Sequence, residues 1–243
     1  MKKTVIPIVV ALILAGSFVL VANIASNTAI GIKNKGYVTV KGFAKQEIKS
    51  DLGIFKATII TENPDLKVCY AELAQNKDQV KKFVNENFKV TAQELELNPA
   101  SIKEVYKINE RGYDTDEFVK YILKQNIKIE GVDVEKIEKI SSGMIEILDK
   151  GVKISIHAPE YLYTKLEDLK IEMIGRATNN ARQRVIKIAQ EGKFRLGPIA
   201  SVRVGIFQIT PANSTEVSNY GINDTTSIEK EIKCVVEIKY FVK

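Results

Sequence analysis

From Leu166 to Ile188 the apolar residues Leu166, Met173, Ala177, Ala181, Val185 and Ile188 return at intervals of three, four or seven, while Arg176, Asn179, Arg182 and Gln183 fall elsewhere. That spacing lines up one face of an α-helix. Gly192 marks its end, and Gly197-Pro198 leads into a strand from Ile199 to Ile209. Two of the central apolar positions, Ala177 and Ala181, have almost no side chain to hold a packing partner at a distance. The helix is therefore expected to lie close against its support, and a sheet is the expected support.

The rest of the chain alternates between the two periods. Tyr37 to Val40 opens a β-rich region, Ser50-Asp51-Leu52-Gly53 reads as a turn, and Ile54 to Thr61 is dense in β-branched and aromatic residues. Asn63-Pro64 stops that strand and Asp65 caps a helix whose face is Leu66, Cys69 or Tyr70, Leu73, Val80, Val84 and Phe88, ending near Asn87. Thr91 to Asn98, Ala100 to Ile108 and Phe118 to Glu130 read as extended. Asp133 caps a further helix with Val134, Ile137, Ile140, Met144, Ile145 and Leu148 inward, stopped by Gly151. Val152 to Ile156 is a short strand, Asn213 to Thr226 a polar surface loop, and Glu231 to Val242 a closing strand with Cys234, Val236, Ile238 and Tyr240 on one face. Strands alternate with three helices in two consecutive blocks of strand, helix and strand. The expected fold class is α+β, a mostly antiparallel sheet packed by about three helices, with an approximate internal duplication.

The N-terminus breaks this rhythm. Met1, Lys2 and Lys3 give a positive start, and Val5 to Ala22 then runs without a charge and without a polar face. About 20 apolar residues cross a bilayer, and the small-residue pattern of a cleavable signal is poorly met, so a retained single span is the expectation and cleavage its alternative. Residues 1–29 form the signal-anchor segment in this reading, 30–36 a tether and 37–243 the folded domain. Lysines flank the span on both sides, Lys2 and Lys3 before it and Lys33, Lys35, Lys41 and Lys45 after it, so charge barely orients it.

The chain has 243 residues, 45% of them hydrophobic, and a net charge of +6. Without its terminal segment it holds roughly 210 residues, one large domain or two small ones. Lys and Glu alternate, as in Glu135, Lys136, Glu138 and Lys139, so the excess charge reads as a solvated surface and nucleic acid is not an expected partner. Two cysteines, Cys69 and Cys234, are too few for a zinc cluster. They pack as buried thiols or pair as one disulfide.

Candidate chemistry is sparse. His157 is the single histidine, and no nearby residue is marked as a nucleophile to work with it. The isolated glycines form no phosphate-cradling loop. Tyr161, Tyr163 and Phe194 lack the basic array of a base-stacking platform, and Arg176, Arg182, Arg184 and Arg195 are interspersed with Glu167, Asp168, Glu172 and Glu191. No catalytic, cofactor-binding or metal-ligating residue is assigned, and no cofactor is expected. A small-molecule ligand is left unknown.

Gly36 to Gly42, which reads Gly-Tyr-Val-Thr-Val-Lys-Gly, the strand and helix after it, and the helix Ala177 to Ala189 leading into Leu196-Gly197-Pro198-Ile199 together resemble the SIMPL-domain (DUF541) family of exported bacterial envelope proteins, which includes the periplasmic immunogenic protein of Brucella. The resemblance covers Gly36 to Lys243. It implies an exported α+β domain that forms homo-oligomers, sometimes ring- or channel-like, with a loose link to stress tolerance, and it places the domain outside the cytoplasm. The resulting expectation is a non-enzymatic protein of the bacterial inner membrane, single-pass, with a self-assembling periplasmic domain. After signal cleavage the same domain would be periplasmic or in the outer envelope. The alternatives are a small-molecule or peptide binding module and an enzyme with an unrecognised site.

Overall fold

The computed structural model describes residues 16–24 and 36–243. The tether 30–36 and residues 5–15 of the expected span thus lie outside the described residues, apart from Gly36. Residues 16–24 are helical (α1) and exposed. No helix among the described residues is long and apolar enough to cross a membrane. After α1 come β1 (Tyr37–Lys49), β2 (Leu52–Asn63), α2 (Leu66–Phe88), β3 (Leu95–Leu97), β4 (Ser101–Ile108), β5 (Asp114–Gly131), α3 (Val134–Gly143) and a 3-10 helix (Met144–Lys150). The chain continues with β6 (Ile154–Ile156), β7 (Glu160–Leu162), α4 (Leu166–Glu191), β8 (Leu196–Val204), β9 (Gln208–Pro211), β10 (Ile222–Asn223) and β11 (Glu229–Val242).

The fold is α+β, but it has two sheets rather than one. One has five strands in the order β1-β11-β9-β10, with β8 also on β11; the other has six, in the order β3-β5-β2-β6, with β4 on β5 and β7 on β2. Most pairs are antiparallel, and β9 with β10 is a short parallel pair. The chain divides into two compact units that do not follow consecutive blocks. Of the described residues, the first takes those up to Ala44, Glu172–Gly205 and Cys234–Lys243; the second takes Lys45–Ile171 and Ile206–Lys233.

In the second unit β2 and β5 pair from Gly53 opposite Gly131 to Asn63 opposite Tyr121. Alternation puts Phe55, Ala57 and Ile59 of β2, with Leu123, Ile127 and Ile129 of β5, on one buried face. On that face α2 supplies Cys69, Leu73, Val80, Phe83 and Val84, and α3 supplies Val134, Ile137 and Ile140. Cys69, not Tyr70, takes the inward position; Tyr70 is exposed. Asp65 caps α2 as its sequence position predicts, accepting the N–H groups of Lys67 and Val68.

The predicted single helix from Asp133 to Gly151 is two pieces. Ser141-Ser142-Gly143 is a weak helix former, and Gly143 packs so closely on the Phe88 ring that a Cβ would lie 2.6 Å from it. The continuation from Met144 is a 3-10 helix, in which the repeat tightens from 3.6 to 3.0 residues per turn. Met144 and Ile147 are therefore buried, while Ile145 and Leu148, expected inward, are exposed. The strand expected from Ile199 to Ile209 is likewise broken, at Gly205 to Phe207, and its halves become β8 and β9. In place of the extended run from Thr91 to Asn98, a turn after Thr91 precedes the three-residue β3.

In the first unit the buried positions of α4 are Met173, Ala177, Ala181, Val185 and Ala189. Each lies four residues after the last, so the contact stripe turns by roughly 40° per step on a helix of 3.6 residues per turn. A twisted sheet calls for such a stripe. That explains why Ala189 is 7% exposed and Ile188, expected on this face, is 44% exposed. The supporting strands contribute Val40 and Ala44 from β1 and Cys234, Val236 and Ile238 from β11.

Candidate functional site

Three places on the molecule bring polar or reactive groups together, and two faces leave apolar groups open. The tightest construction is the contact of α4 with β1. A Cβ on Gly42 would lie 2.0 Å from the Ala177 carbonyl oxygen and 2.7 Å from the Ala181 Cβ, so strand and helix meet backbone to backbone. From that contact two α4 side chains reach the β1 backbone. Asn180 Oδ1 accepts the Phe43 N–H at 3.1 Å, and an Arg184 guanidinium N–H donates to the Lys41 carbonyl at 3.0 Å.

The second place is Lys230, a charged residue only 2% exposed. It shares the inward phase of β11 with Ile232, and its ammonium donates to the carbonyl oxygens of Tyr161 and Asp224, both at 2.5 Å. Burial pushes its pKa down, and the Asp224 charge acts against that push. Beside it lies a cavity of about 210 Å³ whose lining is mostly apolar, with Ile48, Leu52, Leu166 and Ile209, but which also takes in Asp224 and Lys230. Sequence reading missed this residue, although the two-residue alternation through Ile232, Cys234 and Val236 carries back to it.

The third place is the polar face of the six-stranded sheet. Glu62 accepts from both Lys120 and Lys153, and these two bonds hold its carboxyl down at about 2. Lys56 stands directly opposite Lys128 in the β2–β5 register; Glu160 pairs with the first and Glu130 with the second. His157 is exposed here, beside Lys56, Thr58, Asn126 and Lys128. The Thr58 hydroxyl donates to Asn126 Oδ1 at 2.8 Å. These partners are amides, hydroxyls and ammonium groups, an arrangement suited to a solvated surface.

Cys69 and Cys234 are free and buried, so the thiol alternative holds over the disulfide, and burial pushes the Cys234 thiol up. No group of His, Cys, Asp and Glu side chains able to hold a metal ion is found among the described residues. Tyr161 is buried, and Tyr163 and Phe194 are half-buried. Arg176 pairs with Glu172 within α4.

The arginines are unevenly placed. Five of the six fall between Arg176 and Arg203, and from Met173 to Gly205 seven basic residues face Glu191 alone, a net +6 equal to that of the whole chain. Lys and Glu alternate through most of the chain, but this stretch departs from that pattern, as does the run up to Lys45, where six lysines precede the first acidic residue, Glu47.

Two apolar surfaces stay open. β4 pairs with β5 alone among the described strands, and the resulting ribbon carries Ile102, Tyr106, Phe118 and Tyr121 on the face that continues from buried Leu123. The Phe118 ring lies 4.7 Å from that of Tyr121, tilted at 50°, and meets Tyr106 edge-on at 6.1 Å, yet is 39% exposed. On β8, Ile199, Val202 and Val204 are 52%, 50% and 47% exposed.

No curated protein matches the chain. A family model does match, over residues 38–240, and its description is SIMPL, protein of unknown function (DUF541). The match runs from within β1 to within β11, most of the chain, and the chain belongs to the SIMPL family.

Proposed function

We propose that the chain is a membrane-tethered envelope protein whose SIMPL domain assembles with copies of itself and works as a scaffold rather than as an enzyme. The β4–β5 ribbon carries this reading. A two-stranded ribbon is marginal on its own in water, and this one keeps an aromatic strip in line with the core face but uncovered. A second copy would give the strip the partner it lacks. The apolar run from Val5 to Ala22 supports the tether, since holding copies in one membrane raises their effective concentration and lets modest contacts associate. A periplasmic placement and a part in stress tolerance accompany this reading through the family resemblance. Sedimentation of the full-length chain in mild detergent tests the assembly, and alkaline carbonate extraction of bacterial membranes tests the tether. Release of the full-length chain by carbonate contradicts the tether.

A second reading, a small-molecule binding module, is favoured by the mostly apolar cavity at Lys230, where an ammonium N–H not used by the two carbonyls could meet a ligand carboxylate, against the opposing charge of Asp224 in the same lining. At about 210 Å³ the cavity is smaller than the roughly 300–1,000 Å³ of ordinary ligand sites. That ranks it second. Calorimetric titration with butyrate and hexanoate decides it: heat lost in Lys230→Met supports binding, and no heat with the unaltered chain ends it.

A further inference from the structure

The two compact units differ in charge. The described residues of the first carry ten basic and three acidic side chains, a net +7, whereas the second carries 22 basic and 27 acidic, a net −5. Backbone bonds show where part of the first unit's charge gathers. The Val242 N–H donates to the Gly36 carbonyl at 2.9 Å, and Lys243 and Arg195 exchange N–H to carbonyl bonds at 2.8 and 3.2 Å, so the start of β1, the end of β11 and the start of β8 lie side by side at one end of the sheet. The turn Gly192-Lys193-Phe194, which carries α4 into β8, brings the last turn of that helix to the same end.

Lys193 and Arg195 are exposed there, and the Lys239 ammonium stands 3.2 Å from the centre of the Tyr37 ring. The carboxylates nearest to them in sequence are taken: Glu191 pairs with Lys187 at 2.8 Å and Glu237 with Lys41 at 3.7 Å. Among the described residues no carboxylate lies within ion-pair distance of Lys193, Arg195 or Lys239. Cations gathered without counter-charges attract an anionic surface. Tyr37, 59% exposed, and the half-buried Phe194 add aromatic rings to the same end, and aromatic side chains with a polar tip settle at the level of lipid headgroups.

This end is also where the chain arrives from its apolar run. Gly36 follows Ala22 by fourteen residues, at most roughly 50 Å of extended chain. A surface held that close to a bilayer needs little affinity of its own to stay on it. We propose that this end of the first unit docks on the anionic lipid headgroups of the membrane that holds the chain, with Lys193, Arg195 and Lys239 meeting phosphates and Tyr37 and Phe194 resting among the headgroups. This rests on the tether reading and adds a second, electrostatic contact to it. An anionic bilayer attracts the first unit, at +7, and not the second, at −5.

The chain has no tryptophan, so Phe194→Trp gives a single reporter at this end, and Tyr70→Trp gives one on the exposed side of α2 in the second unit. Each full-length variant is placed in vesicles of brominated phosphatidylcholine, with or without about one third phosphatidylglycerol. Phe194→Trp is expected to be strongly quenched in the anionic vesicles and weakly in the neutral ones, and Tyr70→Trp in neither. A basic side chain near an anionic surface contributes about fivefold, so adding Lys193→Gln and Arg195→Gln is expected to lower the ratio of docked to free chain roughly thirtyfold. Lys193→Arg with Arg195→Lys keeps the charge and the docking. If the chain resists carbonate extraction but Phe194→Trp is unquenched in the anionic vesicles, or is quenched equally in both, the docking is wrong, the cations serve another anionic partner and the tether stands. A chain that carbonate releases removes both.

Discussion

Gly42 is the residue at which one added carbon does most damage. Its missing Cβ is what lets the β1 backbone touch the α4 backbone at Ala177 and Ala181, and neither neighbour has a flexible side chain that could move aside. Gly42→Ala is expected to lower stability by about 3 kcal/mol, the upper range for overpacking; a chemical denaturation midpoint equal to that of the unaltered chain would contradict this. Glu62 makes a pH-dependent contribution. Its folded pKa of about 2 lies below the usual 4.5, so its stabilisation is complete above pH 4.5 and is lost as the pH falls toward 2. Urea midpoints of the unaltered chain and Glu62→Gln should therefore differ most near neutral pH and converge below pH 4. The two alanines of α4 were legible as a close-packing signal, because residue type and spacing agree. Ala189 was not, since Ile188 and Ala189 lie three and four residues after Val185 and both fit the helical template; the larger apolar side chain was taken, and only the turning of the stripe decides for Ala189. Lys230 was hidden for another reason: a lysine in phase with apolar residues is normally discounted, and its carbonyl partners come from β7 and from the loop before β11.

Among the elements, those with a long regular period were readable and those built by tertiary pairing were not. The alternation in β11 and the Asp65-capped face of α2 follow from local pattern. The three-residue strands β3, β6 and β7 and the two-residue β10 exist only as partners of longer strands, and so few residues carry no period. The break of the helix at Gly143 depends on the Phe88 ring, fifty-five residues earlier in the chain. The β4–β5 ribbon was read as two strands, but its exposure could not be seen, because its residues have the composition of a covered sheet. Phe118→Lys places a charge in the middle of that strip. It is expected to weaken self-association on the order of tenfold and to shift the thermal midpoint little, as Phe118 lies outside the buried cluster. Unchanged sedimentation of this variant would remove the ribbon from the interface.

At the scale of the whole molecule the chain is two compact units drawn from interleaved stretches, and β1, α4 and β11 each contribute residues to both. Local periodicity supplied the α+β class and nearly all the long elements. The two-sheet division was not legible, because the strand pairs that define it are far apart in sequence, as with β8 and β11. In the proposed assembly, the open apolar strip of the β4–β5 ribbon is the face that a second copy would cover. The measurement that tests this most directly is the mass of the full-length chain by sedimentation equilibrium in density-matched detergent over a hundredfold range of concentration. The expected mass rises with concentration toward a whole multiple of one chain. A mass that stays at one chain up to the highest concentration would contradict it.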